Sequence, residues 1–85
     1  MKIIKSKDNP IYKSVYRLTK RKYRDETGMY LLEGKKPLKD ALSLGVNIKT
    51  ALICDGRQVD DELLEMLKNN VAVLEKKLFE AIADT

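Results

Sequence analysis

Basic side chains at helical spacing are the groups in this chain best suited to binding chemistry. They are Lys13, Arg17, Lys20 and Arg24. On an α-helix such a spacing forms one stripe, and cations in a stripe can neutralise successive phosphates of a nucleic acid. The alternative interpretation is an ordinary solvated helix face. Residues 1–24 favour the first interpretation, because they hold nine Lys or Arg and only one acid, whereas most exposed helices carry mixed charge.

A second set of candidate phosphate-binding residues lies around a glycine. The set comprises Gly34, Lys35, Lys36 and Lys39. It falls between a predicted strand and a predicted helix, whose N-terminus offers unpaired backbone N–H groups to an anion. Gly34 either allows a nucleic-acid backbone to approach closely or serves only the turn geometry. Glu33 is assigned a structural role, capping or bracing the helix, because a carboxylate repels phosphate.

The composition argues against a complete enzyme. The 85 residues contain no His, so the commonest general base and metal ligand is missing. A single cysteine, Cys54, excludes an internal disulfide and fits a reducing cytoplasm. The acids at residues 60–62 are interpreted as a favourable helix N-terminus rather than a cation site. We therefore expect a cytoplasmic, non-membrane domain without catalytic, cofactor-binding or metal-binding residues of its own.

The elements that position these residues alternate between helices and strands. Asn9 and Pro10 predict the start of a helix, whose apolar face continues to about Tyr23 and is followed by a turn at residues 25–28. Beyond it we predict a buried strand at 29–32, a helix from Pro37 to Gly45, a strand at 51–54 with a turn at 55–56, a helix from about 59 to 69–70, a strand at 71–74 and a helix at 76–83. This order predicts one α/β layered domain over residues 1–85, with a largely parallel sheet.

The four tyrosines have two interpretations. They can stack on unpaired bases, but Tyr12, Tyr16 and Tyr23 share the apolar face of the first helix, which favours core packing. Tyr30 lies in the predicted strand and is assigned to the core as well. Lys22 either extends the basic surface or packs its stem along the edge of the core.

Several different short motifs follow one another in the first half of the chain. They are Ser6-x-x-Asn9-Pro10-x-Tyr12-Lys13, Val15-x-x-Leu18, Lys22-Tyr23-Arg24, Gly28-x-Tyr30-Leu31-Leu32-Glu33-Gly34 and Asp40-Ala41-Leu42. The series, over residues 3–54, resembles the N-terminal substrate-binding domain of the SpoU/TrmH family of RNA ribose 2′-O-methyltransferases. Tyr12, Tyr30 and Asp40 depart from the aliphatic residue, Phe and Glu that are usual in that family.

The resemblance implies a fold like that of the kink-turn-binding ribosomal proteins, with an extra basic N-terminal helix. It also implies that a separate C-terminal knotted domain, none of whose motifs is present through Thr85, binds S-adenosylmethionine, dimerises and transfers the methyl group. We therefore expect an RNA-recruiting domain, monomeric by itself, from a homodimeric enzyme that acts on ribosomal RNA in preference to transfer RNA. The alternatives are a free-standing kink-turn-type RNA-binding protein and a protein–protein docking domain whose basic end meets an acidic partner.

Overall fold

Three parallel strands of the described residues form the sheet, in the order Ile3–Ile4, Val71–Leu74 and Ala51–Cys54. The computed structural model describes residues 3–67 and 70–83. The strands are β1 (Ile3–Ile4), β2 (Ala51–Cys54) and β3 (Val71–Leu74). Ile4 and Cys54 both lie opposite Leu74 of the central strand, so all three strands end at the same level. The predicted α/β layered class and its parallel sheet are confirmed.

Five α-helices and one 3₁₀ turn complete the described chain. They are α1 (Pro10–Tyr16), the 3₁₀ turn (Arg17–Thr19), α2 (Arg21–Thr27), α3 (Lys35–Ser43), α4 (Asp61–Leu67) and α5 (Lys76–Ala83). The order of the elements from α3 onward agrees with the sequence prediction. The first strand of the sheet differs from the prediction, because it is β1 and not residues 29–32.

The main apolar cluster lies where α3 and α4 meet β2. Ala51, Leu63 and Leu67 are buried there, and Leu38 and Leu42 of α3 pack against them. Helix α5 contacts β2 and β3. Helices α3, α4 and α5 therefore pack against the sheet with the apolar stripes that their sequences predict.

The predicted single helix from Pro10 to about Tyr23 is wrong, because the helical conformation is interrupted at Lys20, which is called the break below. Lys20 has an extended backbone (φ −107°, ψ 131°) between the 3₁₀ turn and α2. Nothing in the local sequence signals this break, since neither Gly nor Pro is present. Helix α2 then continues through the residues predicted as a turn and ends at Gly28, whose φ is 71°.

The predicted buried strand at residues 29–32 is also wrong. The segment has no regular structure, and the side chain assigned to the core at Tyr30 is 62% exposed. Leu31 and Leu32 are exposed as well. An apolar run is compatible with a strand but does not specify a partner, and here no strand pairing is made.

The remaining boundaries agree to within two residues. Helix α3 begins at Lys35, two residues before Pro37, and the N–H groups of Gly45 and Val46 close its end on the carbonyls of Leu42 and Ala41. Helix α4 begins at Asp61, slightly later than predicted. Its predicted end at Asn69 lies outside the described residues.

Candidate nucleic-acid interface

The helical arm, residues 10–27, carries the first set of predicted cations. Its start is set by Asn9, whose Oδ1 accepts hydrogen bonds from the N–H groups of Ile11 (2.9 Å) and Tyr12 (3.3 Å). Tyr12 is buried, as predicted, and burial raises the pKa of its phenol, with a smaller contribution from Tyr16. The first turn of the arm is therefore capped by Asn9 and buries Tyr12.

The break at Lys20 changes how the four predicted cations of the arm are arranged. Lys13, Arg17 and Lys20 are exposed. Arg24 is half-buried, and its Nη1 donates a hydrogen bond to the carbonyl oxygen of Leu18 (3.0 Å). The four residues therefore do not form one continuous helical stripe, and Arg24 also joins α2 to the 3₁₀ turn.

An aromatic ring organises the cations next to the break. The guanidinium carbon of Arg17 lies 5.6 Å from the centroid of the Tyr23 ring, and Nζ of Lys22 lies 5.8 Å from it. Tyr23 is half-buried, which agrees only in part with its predicted place in the core. Sequence reasoning favoured core packing of Tyr23 over base stacking and missed its contact with Arg17, because the two residues do not meet on one unbroken helix.

Gly34 has the backbone geometry that its turn requires. Its φ of 102° and ψ of 153° are strained for any residue with a Cβ, and an added Cβ would also lie 3.4 Å from Cδ of Pro37. Gly34 is the N-cap of α3, and no side chain caps this helix. The exposed Glu33 therefore does not cap it as expected. The first turn presents the N–H groups of Lys35 and Lys36, since Pro37 has none.

Two of the lysines around Gly34 share one acidic partner. Nζ of Lys35 and Nζ of Lys39 lie 2.8 Å and 3.1 Å from Oδ2 of Asp60. The hydrogen bonds from Lys35, and then from Lys39, hold the pKa of the Asp60 carboxyl well below its usual range. Asp60 Oδ1 accepts the N–H of Glu62 (2.9 Å), so the same carboxyl caps α4.

The structure therefore separates the lysines of the second set. Lys36 is exposed and has no ion pair among the described residues. Asp60 is the common countercharge of Lys35 and Lys39, and it reduces the positive charge that these lysines present. Sequence reasoning missed this role of Asp60, because more than 20 positions separate it from Lys39 and no local pattern links them.

An open groove of about 640 Å³ lies between the helical arm, residues 28–34 and the outer edge of β2. Leu18 of the arm and Lys35 of α3 both line it. A neighbouring recess of about 340 Å³ is lined by Arg24 and Glu33. Both concavities border Tyr30, Leu31 and Glu33, so one predicted cation of each set, Arg24 and Lys35, lies beside this segment.

Other kinds of site find no support in the described part of the chain. Among residues 3–67 and 70–83, no group of three or more acidic, His or Cys side chains is placed to hold a metal ion. Within the same ranges, no helix is long and apolar enough to cross a membrane.

Comparison with known families gives one match. The model of the MRM3-like substrate binding domain matches residues 9–85. The match includes the helical arm, Gly34 with its lysines, and every strand and helix from α1 onward, but not β1. No curated protein matches the chain.

Proposed function

Since the chain belongs to the MRM3-like substrate-binding domain family, we propose that it recruits RNA for an S-adenosylmethionine-dependent ribose 2′-O-methyltransferase that acts on ribosomal RNA. The family match over residues 9–85 is the observation that carries this proposal. Cofactor binding and methyl transfer belong to another domain of the parent enzyme. The role of this domain is to hold a folded RNA so that one ribose reaches that active site.

Positioning of this kind contributes to catalysis without touching the reacting atoms. Holding two reactants in one orientation converts a bimolecular encounter into an effectively unimolecular step. The domain needs affinity for RNA and a fixed orientation, and it needs no acid–base pair. The absence of His from the sequence is compatible with that requirement.

The charge distribution supports recognition through the phosphate backbone. The arm exposes Lys13, Arg17 and Lys20, and α3 exposes Lys36. Side chains do not read the deep, narrow major groove of A-form RNA, so recognition uses shape, phosphates and unpaired segments. We therefore expect the arm to contact phosphates and residues 34–36 to contact the RNA at a second point.

A fluorescence-anisotropy titration with fragments of ribosomal RNA tests the proposal. We expect saturable binding that weakens steeply between about 50 and 200 mM salt, and that exceeds binding to a DNA duplex. The double variant K13A/K20A should bind more weakly, with a log–log salt slope smaller by up to about 1.4–1.8, if each lysine neutralises one phosphate. Transfer RNA serves as the competitor that tests the choice of substrate.

The matched control is K76A/K77A, which removes the same charge from two exposed lysines of α5 that line neither the groove nor the recess. An equal loss of affinity in both double variants would show a diffuse attraction and no interface at the arm. Absence of RNA binding at low salt, together with nuclease-resistant retention of a protein partner, would favour a docking domain instead.

A further inference from the structure

We propose that Tyr23 is a positioning residue, which holds Arg17 and Lys22 as a pair of un-neutralised cations for the phosphate backbone of RNA. The inference rests on the proposed RNA-binding function and adds the means by which the arm presents its charges. The family match assigns Tyr23 no role, and the sequence offers it only core packing or base stacking.

The break at Lys20 is what brings the three side chains together. On a continuous helix, Arg17 and Tyr23 would be separated by about 120° around the axis and about 9 Å along it. The extended backbone of Lys20 ends the first helical run and starts α2 in a new direction. The guanidinium of Arg17 then lies 5.6 Å from the ring centroid of a residue six positions later.

Two hydrogen bonds maintain this arrangement. Arg24, directly after Tyr23, donates to the carbonyl oxygen of Leu18, directly after Arg17 (3.0 Å). The N–H of Tyr23 also donates to the carbonyl oxygen of Lys20 (3.2 Å). The first bond spans the break, and the second closes the first turn of α2 on Lys20.

An aromatic ring holds a cation in a different way from a carboxylate. The negative face of the ring attracts the cation, but the ring carries no net charge, so the full positive charge stays available to a phosphate. Lys35 and Lys39 illustrate the opposite case, since Asp60 offsets their charge. Among the described residues, neither Arg17 nor Lys22 has a carboxylate within ion-pair distance.

Holding the cations in advance also lowers the entropic cost of binding. Long basic side chains lose substantial rotamer freedom when a ligand fixes them. Contact with the ring restricts Arg17 and Lys22 before RNA arrives, while both stay exposed. At an exposed site a cation–π contact corresponds to a change in affinity of about two- to five-fold.

Fluorination of the ring separates this role from a purely structural one. In the full 85-residue chain, Tyr23 is replaced by Phe and then by phenylalanines with increasing numbers of fluorines, which weaken the negative face of the ring at nearly constant size. Y23F should bind a fluorescein-labelled ribosomal RNA stem-loop as the wild type does, because the described contacts of Tyr23 use its ring and backbone. Affinity should then fall stepwise with fluorine number.

Leucine variants supply the controls. Y23L should weaken RNA binding by about two- to five-fold without changing the salt slope, because the cations remain, whereas R17A should reduce both. Y16L is the matched control, since Tyr16 is a half-buried ring of the same arm with no cation contact among the described residues. Y16L should bind RNA as the wild type does when both are folded by circular dichroism.

Each outcome has a defined meaning. Wild-type chain that fails to bind RNA would overturn the proposed function and this inference with it. RNA binding that is insensitive to fluorination, or equal losses in Y23L and Y16L, would overturn the inference alone and leave the proposed function standing.

Discussion

At the scale of single residues, Asp60 affects both the stability of the fold and the positive charge available to bind phosphate, in opposite directions. It caps α4 through Oδ1 and pairs with Lys35 and Lys39 through Oδ2. These contacts stabilise the fold. They also reduce the positive charge beside Gly34, where the sequence predicts phosphate binding. Stability and affinity should therefore respond to Asp60 with opposite signs.

We predict that D60N lowers the free energy of unfolding and raises RNA affinity. Asparagine is also a good N-cap, so the change removes the charge and keeps the hydrogen bond to Glu62. Urea denaturation and anisotropy titration measure the two effects. D61N is the matched control, because it removes an equal charge from the neighbouring exposed acid, which has no ion pair among the described residues. Equal gains of affinity in both variants would contradict a specific role for Lys35 and Lys39.

The lowered pKa of Asp60 also sets a pH dependence. A carboxyl whose pKa falls on folding contributes stability above its unfolded pKa, close to 3.8, and loses that contribution as the pH drops toward the folded value. The stability difference between wild type and D60N should therefore be constant near neutral pH and shrink below about pH 4. Urea denaturation across this range checks it, and a difference that stays constant to pH 3 would argue against the pairing.

At the scale of elements, the cap of α1 is the clearest local determinant of the helical arm. Asn9 satisfies the N–H groups of Ile11 and Tyr12. We predict that N9A lowers the free energy of unfolding by about 1 kcal/mol, whereas N9S retains most of the stability because serine also caps. Thermal denaturation measures both variants. Equal losses in N9A and N9S would show that the side-chain cap is not what stabilises the arm.

The segment at residues 29–32 allows a second test at this scale. Because Tyr30 is 62% exposed, Y30S should change the free energy of unfolding by no more than about 0.5 kcal/mol. L74A, at the fully buried end of the central strand β3, should cost about 2–5 kcal/mol. A large loss in Y30S would mean that the segment packs into the sheet in solution, as its apolar pattern suggests.

The elements that sequence predicts correctly are those with local signals. Asn9 and Pro10 start a helix through their own chemistry, and strands β2 and β3 are short apolar runs between clear breakers. The break at Lys20 has no such signal. It is accompanied by a hydrogen bond from Arg24 to the carbonyl oxygen of Leu18, six positions earlier, which helical periodicity does not predict. Strand β1 has only two residues, too few for a periodic pattern.

The candidate site divides in the same way. The sequence identifies where cations are numerous, and the structure shows which of them are exposed. The sequence does not identify the pairing of Lys35 with Asp60 or the contact of Arg17 with Tyr23. Both depend on a change of chain direction or on residues far apart in sequence, so neither follows from helical or strand periodicity.

At the scale of the whole molecule, the domain exposes more surface than is usual for its mass. Its accessible surface is 6477 Å², against about 5,100 Å² expected for a folded monomer of this mass. Exposed Leu31, Leu32 and Val46 beside the groove contribute to the excess. A small core and a large surface together predict modest stability for the free domain.

We therefore predict a large thermal stabilisation by RNA. A ligand at about 100 times its dissociation constant adds about 2.7 kcal/mol of stability, which for a domain of this size raises Tm by about 10–20 °C. Differential scanning fluorimetry with a ribosomal RNA fragment measures the shift, and a DNA duplex at equal concentration is the control. An unchanged Tm at saturating RNA would show that binding does not favour the folded state.

Cys54 makes the opening of the sheet directly measurable. The residue is 3% exposed at the end of an edge strand, and its thiol donates to the carbonyl oxygen of Asp55. Since it is the only cysteine in the chain, each molecule takes up one equivalent of an alkylating reagent, and only after that strand separates from its neighbours. The labelling rate, followed by mass spectrometry, thus gives the free energy of opening without added denaturant. A slower rate with RNA on the helical arm, which borders the same groove as β2, would reveal that the arm and the sheet open as one cooperative unit.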